Sequence, residues 1–222
     1  TIKATSPHVG LILALPKLSE GKKVSQNAHD TLKEACELAE NGTVSPLIIL
    51  DNEKINGLYP KLSIKKFWQV ANANICSLFH LFNNIITKNS EFSTFDSNDF
   101  RTVLDSGIMV FGATNINDTE SESAISKAVR ENLKRNVLCG ELELSTGNVA
   151  ASVAIGDEDT LDNIPQEYLD SAFNQLNRTL KTNSTVHQGI YKGAKKGLSL
   201  FTAIGGIDTP KDKLATLLKA AQ

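Results

Sequence analysis

The sequence predicts an α/β unit followed by an α+β unit: the end of a parallel, Rossmann-like domain, a long central helix, then a four-stranded sheet with two packed helices. Three observations carry this. Strand, helix and strand patterns follow one another from His8 to Leu50, the order of a parallel βαβ unit. One uninterrupted amphipathic pattern begins after Ser63 and runs to about Thr87, enough for a helix of about 30 Å. Beyond it the rhythm changes, and four strands arrive with two helices, as in α+β domains.

His8 to Pro16 reads as a strand, and its run Val9-Gly10-Leu11-Ile12-Leu13-Ala14-Leu15 predicts burial on both faces. Ser19 to Val24 is a polar loop. Gln26 to Glu40 carries Ala28, Leu32, Ala35, Cys36 and Ala39 at helical spacing, stopped by Asn41-Gly42. Leu47 to Leu50 is a short apolar strand that ends in the polar loop Asp51-Asn52-Glu53-Lys54. Ser63 is placed to cap the central helix, whose apolar positions include Phe67, Trp68, Ala71, Ile75, Leu78, Phe79, Phe82 and Ile85. That stripe is broad enough to predict a helix buried along most of its length.

Phe95-Asp96-Ser97-Asn98-Asp99-Phe100 follows, and Asp99 to Asp105 is a short helix that Gly107 stops. Ile108 to Ala113 is a strand. Thr119-Glu120-Ser121-Glu122 has the pattern of a capping box and opens a helix with Ile125, Ala128, Val129 and Leu133 inward. Val149 to Ile155 is a strand, and Pro165 opens a helix through Leu169, Phe173 and Leu176. Val186 to Tyr191 and Leu198 to Ile204 are the last two strands, and Pro210 to Ala221 is a terminal helix. The organisation expected is therefore 1–62, a central helix 63–90, and 91–222 with an acidic loop at 91–100.

The 222 residues carry a net charge of −2 with 41% hydrophobic and 22% charged residues. A core of ordinary size follows, with no electrostatic case for nucleic acid or an anionic membrane. No apolar run is long enough to span a bilayer and no export signal is visible, so direct membrane insertion is not expected. Cys36, Cys76 and Cys139 have no paired spacing, which reads as reduced core thiols in a cytoplasmic protein. The abrupt start at Thr1 reads as a processed or truncated piece of something longer.

Five residues are candidates for chemistry. Asn52, at the end of a strand, can set a side-chain amide against a purine edge; an Asx turn is the competing use. Trp68, early in the central helix, can stack on a base, or simply pack. Asn72 lies one turn later on the same face, and its amide can both accept and donate. Asp96 and Asp99, at i and i+3 of a helix start, can hold a water or a cation near a phosphate; capping and favourable placement at the helix dipole compete with that role.

In this order and spacing the residues resemble the FtsZ/tubulin superfamily of polymerising GTPases, in the later half of such a protein. Val9 to Lys17 with Glu20-Gly21 is similar to the family's strand and "KPF…EG" loop, and Leu47 to Ile55 to its "IVIPNEKL" strand and nucleotide-side loop. Trp68 to Asn72 resembles "F-x-x-A-D" in the central helix, with Asn where FtsZ proteins have Asp. Thr94 to Asp99 resembles "N-x-D-x-x-D", with Thr94 in place of Asn. The strands through Thr202-Ala203-Ile204-Gly205 resemble the C-terminal domain and its "TVIATG" ending.

The resemblance implies that 1–62 closes a GTP-binding domain whose earlier part, with the phosphate loop, is not in this sequence. No Gly-Gly-Gly-Thr-Gly run occurs, and Gly205-Gly206 is a poor substitute. It further implies GTP or GDP as the ligand, with Mg2+ in the full assembly. Asn52, Trp68 and Asn72 would read the guanine, while Asp96 and Asp99 complete the site of the next subunit. Subunits would then associate head to tail into cytoskeletal filaments that divide or shape cells and hydrolyse GTP at their junctions, and this chain alone would be inactive.

Two other readings stand beside it. One is a non-catalytic module that docks on or caps such filaments through the Asp96 face. The other is a small-molecule enzyme with Asp96 and Asp99 as an acid/base pair, for which His8, His29, His80 and His187 are scattered along the chain.

Overall fold

A computed structural model describes residue 6 and residues 8–60, 63–135 and 137–222 of the chain. Thr1 and the expected boundary at 61–62 lie outside the described residues. The order of elements is β1 (Leu11–Leu15), α1 (Lys22–Glu40), β2 (Leu47–Asp51), α2 (Asn52–Leu58), α3 (Ile64–Ile85), α4 (Ser97–Leu104), β3 (Ile108–Ile116), α5 (Glu122–Arg135), β4 (Val149–Gly156), α6 (Glu158–Asn163), α7 (Gln166–Thr179), β5 (Thr185–Lys192), β6 (Leu198–Gly205) and α8 (Lys211–Ala221).

The strands form one mixed six-stranded sheet in the order β1-β2-β3-β6-β4-β5. β1 and β2 are parallel over five residues, and β3, β6, β4 and β5 make the four-stranded portion the sequence predicts. The two portions join at a narrow seam, where β2 pairs with β3 only at Leu47–Ile108 and Ile48–Met109. One face of the sheet is covered by α1, α5 and α7, through Leu32, Cys36, Ile125, Val129, Phe173 and Leu176. The other is covered by α3, through Phe67, Ala71, Leu78, Phe82 and Ile85.

Several local expectations are corrected. Among the described residues β1 pairs with β2 alone and leaves Ile12 half exposed, where burial on both faces was expected. The expected polar loop after β2 is the seven-residue helix α2, begun by Asp51, whose Oδ1 accepts the Glu53 N–H at 3.0 Å. α1 opens at Lys22, inside the stretch expected to be loop. α5 is capped by Ser121 rather than Thr119: Ser121 Oγ accepts the Ala124 N–H, and the Glu122 carboxylate instead accepts the Ser171 hydroxyl at 2.6 Å.

α3 is one continuous helix of 22 residues, with the Ser63 hydroxyl accepting the Lys66 N–H at its start. Only one stripe of it is buried, however. Trp68 is 43% exposed and Asn72 and Cys76 lie on the open side. The broad apolar stripe overstated the burial because Trp68 and Ile75 flank it without entering the core. Among the described residues no helix is long and apolar enough to cross a membrane.

The cysteines divide accordingly. Burial pushes the Cys36 thiol up to about 11 and the Cys139 thiol up to about 12, whereas Cys76 is exposed. Since the thiolate is the nucleophile, iodoacetamide at pH 8 should label Cys76 in the native chain and reach Cys36 and Cys139 only after unfolding. Mass spectrometry of the labelled peptides reads this directly; native labelling of Cys139 would contradict its burial.

Candidate functional site at the two ends of the central helix

At the N-terminal end of α3 the chain gathers three segments. Lys17, just past β1, donates from Nζ to Asn56 Oδ1 of α2 at 3.1 Å and lies 4.7 Å over the Phe67 ring. Glu53 of α2 accepts the Leu18 N–H at 3.2 Å. Trp68 and Phe67 meet edge to face at 5.1 Å, and much of the indole is left in solvent.

Asn72 is exposed one turn further on. Asn52 sits at the first position of α2 and lines a groove with Leu15, Pro16, Glu20, Ala28 and Thr31 that neither Trp68 nor Asn72 lines. Asn52 does not form the Asx turn; the Asx-type contact belongs to Asp51 before it.

Asp51 is buried and held by more than its cap. Its Oδ2 accepts Lys213 Nζ of α8 at 2.6 Å, and both side chains are at most 4% exposed. Glu141 stands 3.9 Å from the same ammonium. This ion pair fastens the terminal helix to the end of β2, directly before the residue expected to read the base.

At the other end of α3 the acidic loop folds onto strand β5. Ile190 N–H donates to Ser93 O at 2.9 Å, Ser93 Oγ donates to Gln188 O at 3.3 Å, and Ser90 Oγ donates to Ile190 O. Phe95 N–H donates to the Tyr191 oxygen at 2.8 Å, and the Tyr191 hydroxyl donates back to Phe95 O at 3.1 Å. Burial pushes the Tyr191 phenol up; the Phe95 N–H opposes this, and the nearby Asp99 and Asp96 carboxylates add to it. Gly189 makes the approach possible, because a Cβ there would stand 2.8 Å from Phe95 Cβ. Thr94 bonds inward as well, accepting the Ser90 N–H at 3.1 Å.

Asp96 and Asp99 are brought together as a reciprocal capping box. Asp96 Oδ1 accepts the N–H groups of Asn98 at 2.7 Å and Asp99 at 3.0 Å, and Asp99 Oδ2 accepts the Asp96 N–H at 3.1 Å. Asp99 Oδ1 lies 2.7 Å from His187 Nδ1 on β5. The histidines are therefore not all scattered: folding delivers one of them to the acidic pair. Asp96 Oδ2 takes no hydrogen bond among the described residues. It is the unbonded carboxylate oxygen of an exposed side chain.

The structure thus pairs Asp96 with Asp99, leaves Trp68 and Asn72 exposed one turn apart in the first half of α3, and seats the acidic loop near Phe82 in its second half. At 1.5 Å per residue its 22 residues span about 33 Å. Among the described residues no group of three or more His, Cys, Asp or Glu side chains is arranged to hold a metal ion. Sequence reasoning missed Lys17, Tyr191, His187 and the Asp51–Lys213 pair, all of which act across long stretches of chain that carry no local signature.

No family model and no curated protein matches the chain. Solved structures do. A GTPγS-form protofilament of Bacillus thuringiensis serovar israelensis TubZ superposes with a TM-score of 0.84 at 18% identity, covering 99% of this chain and 58% of that one. CetZ2 from Haloferax volcanii, a GTPγS-bound protofilament, gives 0.73 at 18% identity, covering 96% and 59%. An FtsZ of M. jannaschii gives 0.71 at 19% identity, covering 92% and 58%. This chain, spanning somewhat under two thirds of the length of such proteins, shares its fold with these TubZ, CetZ and FtsZ structures.

Proposed function

We propose that the chain is the later part of an FtsZ/tubulin-like polymerising GTPase that assembles head to tail into filaments and hydrolyses GTP at the junctions between subunits. The observation that carries this is the separation along α3. Exposed Trp68 and Asn72 stand in the first half of α3, and the exposed Asp96 with its unbonded oxygen follows a loop that packs on the second half. Phe95, next to Asp96, rests on Phe82, so the acidic loop lies about 15–21 Å along α3 from Asn72 and Trp68, and a nucleotide held at the first end of one subunit can meet the acidic loop of the next. The solved structures of similar fold include protofilaments described as GTPγS-bound, which fits this arrangement.

In this reading Trp68 stacks on the guanine and Asn72 both accepts and donates at the base edge, while Asn52, which lines a separate groove, meets the nucleotide from α2. The phosphates, with Mg2+, rest on the glycine-rich loop of the earlier part of the protein. Asp96 orients the attacking water through its free Oδ2. Asp99 keeps the loop in register.

Asp96→Asn tests the charge without the cap, because Asn is an equally good N-cap residue. In the full-length polypeptide, GTP turnover should fall about 10²-fold or more, while nucleotide affinity, sedimentable polymer and thermal midpoint hold. Turnover within twofold of the parent would leave Asp96 a capping residue only and favour a module that docks on filaments without hydrolysing.

A further inference from the structure

We propose that His187 is a positioning residue for the acidic loop, holding the Asp99 carboxylate and, through it, the backbone that aims Asp96. The inference rests on the GTPase reading above for its consequence in turnover, but its geometry stands apart from that reading.

Asp99 has one acceptor oxygen for each of two neighbours. Oδ1 meets His187 Nδ1 at 2.7 Å and Oδ2 takes the Asp96 N–H at 3.1 Å. An ionised carboxylate only accepts, so Nδ1 carries the hydrogen. Nε2 is then left as an acceptor, and it is buried with no hydrogen-bond partner among the described residues. Among the described residues the ring therefore has a single polar contact, and that contact is Asp99.

His187 is itself fixed. It lies on the edge strand β5, paired with Ala151 of β4, and its side chain is 19% exposed. The same strand holds Ser93 and Phe95 through Gln188, Ile190 and Tyr191. A rigid strand thus grips the backbone before Asp96 and the carboxylate after it. Asp96, between the two grips, has one oxygen tied to the helix start and one free. Loss of the His187 contact would let the Asp99 carboxylate, 26% exposed, turn to water and release the Asp96 N–H. The direction of the free oxygen would then no longer be set.

The variants His187→Asn, His187→Gln and His187→Ala separate the contact from bulk packing. The amide nitrogen of Asn branches from the same carbon as Nδ1 and can reach Asp99; that of Gln corresponds to Nε2 and cannot. Two readouts are taken on the full-length polypeptide: hydrogen exchange at the Asp96 amide, and GTP turnover with polymer mass held constant. Exchange at Asp96 should rise about tenfold in the Gln and Ala variants and stay near the parent in the Asn variant. Turnover should fall about tenfold in the same two, with KM unchanged because the base sits in the first half of α3, away from the loop.

Should Ala prevent folding, Asp99→Asn combined with His187→Gln gives a double-mutant cycle. Effects on exchange that fail to add identify one unit, while simple additivity overturns the proposal. Unchanged Asp96 exchange in both the Gln and Ala variants overturns it as well. Faster exchange with turnover intact in every variant overturns instead the catalytic reading of the loop, and His187's part in turnover with it.

Discussion

Lys213→Met should lower the stability of the chain by about 3–5 kcal/mol, because it leaves the Asp51 carboxylate buried without its cation. The pair is 2.6 Å apart and nearly sealed from solvent on both sides, so water cannot replace the lost ammonium. Asp51 keeps one other contact, the Glu53 N–H that starts α2. Its position at the last residue of β2 means that relief of the buried charge must come from moving that strand end or α8. For a chain of this size the loss corresponds to a fall in thermal midpoint of about 10 °C. Adding Asp51→Asn removes the charge while preserving the cap, and most of the loss should be recovered in the double variant. An equal loss in the single and double variants would mean that the lysine acts by packing its stem rather than by pairing. The functional consequence sits next door: Asn52 follows Asp51 directly, so fraying of α8 should loosen the end of the chain that is proposed to read guanine.

The architecture was legible where the signal is periodic. Five buried positions of α3, from Phe67 to Ile85, recur at helical spacing behind a Ser63 cap, and the structure keeps them on the sheet. The strands β4, β5 and β6 fall within about a residue of their apolar runs. What an apolar run cannot convey is its place in the sheet, which is why the edge position of β1 among the described strands and the exposure of Ile12 were not visible. α2 was hidden for a different reason: seven residues closed by Gly57, Leu58 and then Pro60 look like a loop by composition.

The candidate site was legible in part. Helix capping stood as the competing role of Asp96 and Asp99, and the structure contains it as a reciprocal capping box. The contacts that decide what the loop can do come from β5, and those that secure the other end come from Lys213, which lies 162 residues from Asp51 in the chain. Pairings of this kind are products of topology. The antiparallel return of β6 and the parallel crossover to β5 bring His187 beneath a loop whose local sequence gives no reason to expect it.

Phe82→Ala should be as damaging as the loss of Lys213 and should reach the acidic loop by another route. Phe82 is fully buried on α3 and stacks on Phe100 of α4 and on Phe111 of β3, each at 5.5 Å, and meets the edge of Phe95 at 6.0 Å. One ring therefore joins the central helix, the loop before Asp96, the helix that Asp96 caps and the strand at the seam of the sheet. Truncating it removes the buried apolar surface and leaves a cavity that four separate elements would have to close together, which predicts a cost of about 3–5 kcal/mol. Phe82→Leu fills most of that space and should cost less than half as much. The stability loss is measured by urea denaturation, but the telling observation is local. With the polypeptide still folded below its midpoint, Phe82→Ala should raise exchange at the Phe95 and Asp96 amides more than at those of β4, since the loop rests on Phe95 and Phe95 rests on Phe82. Equal acceleration across the whole sheet would mean that the aromatic cluster stabilises the fold in general and has no special hold on the acidic loop.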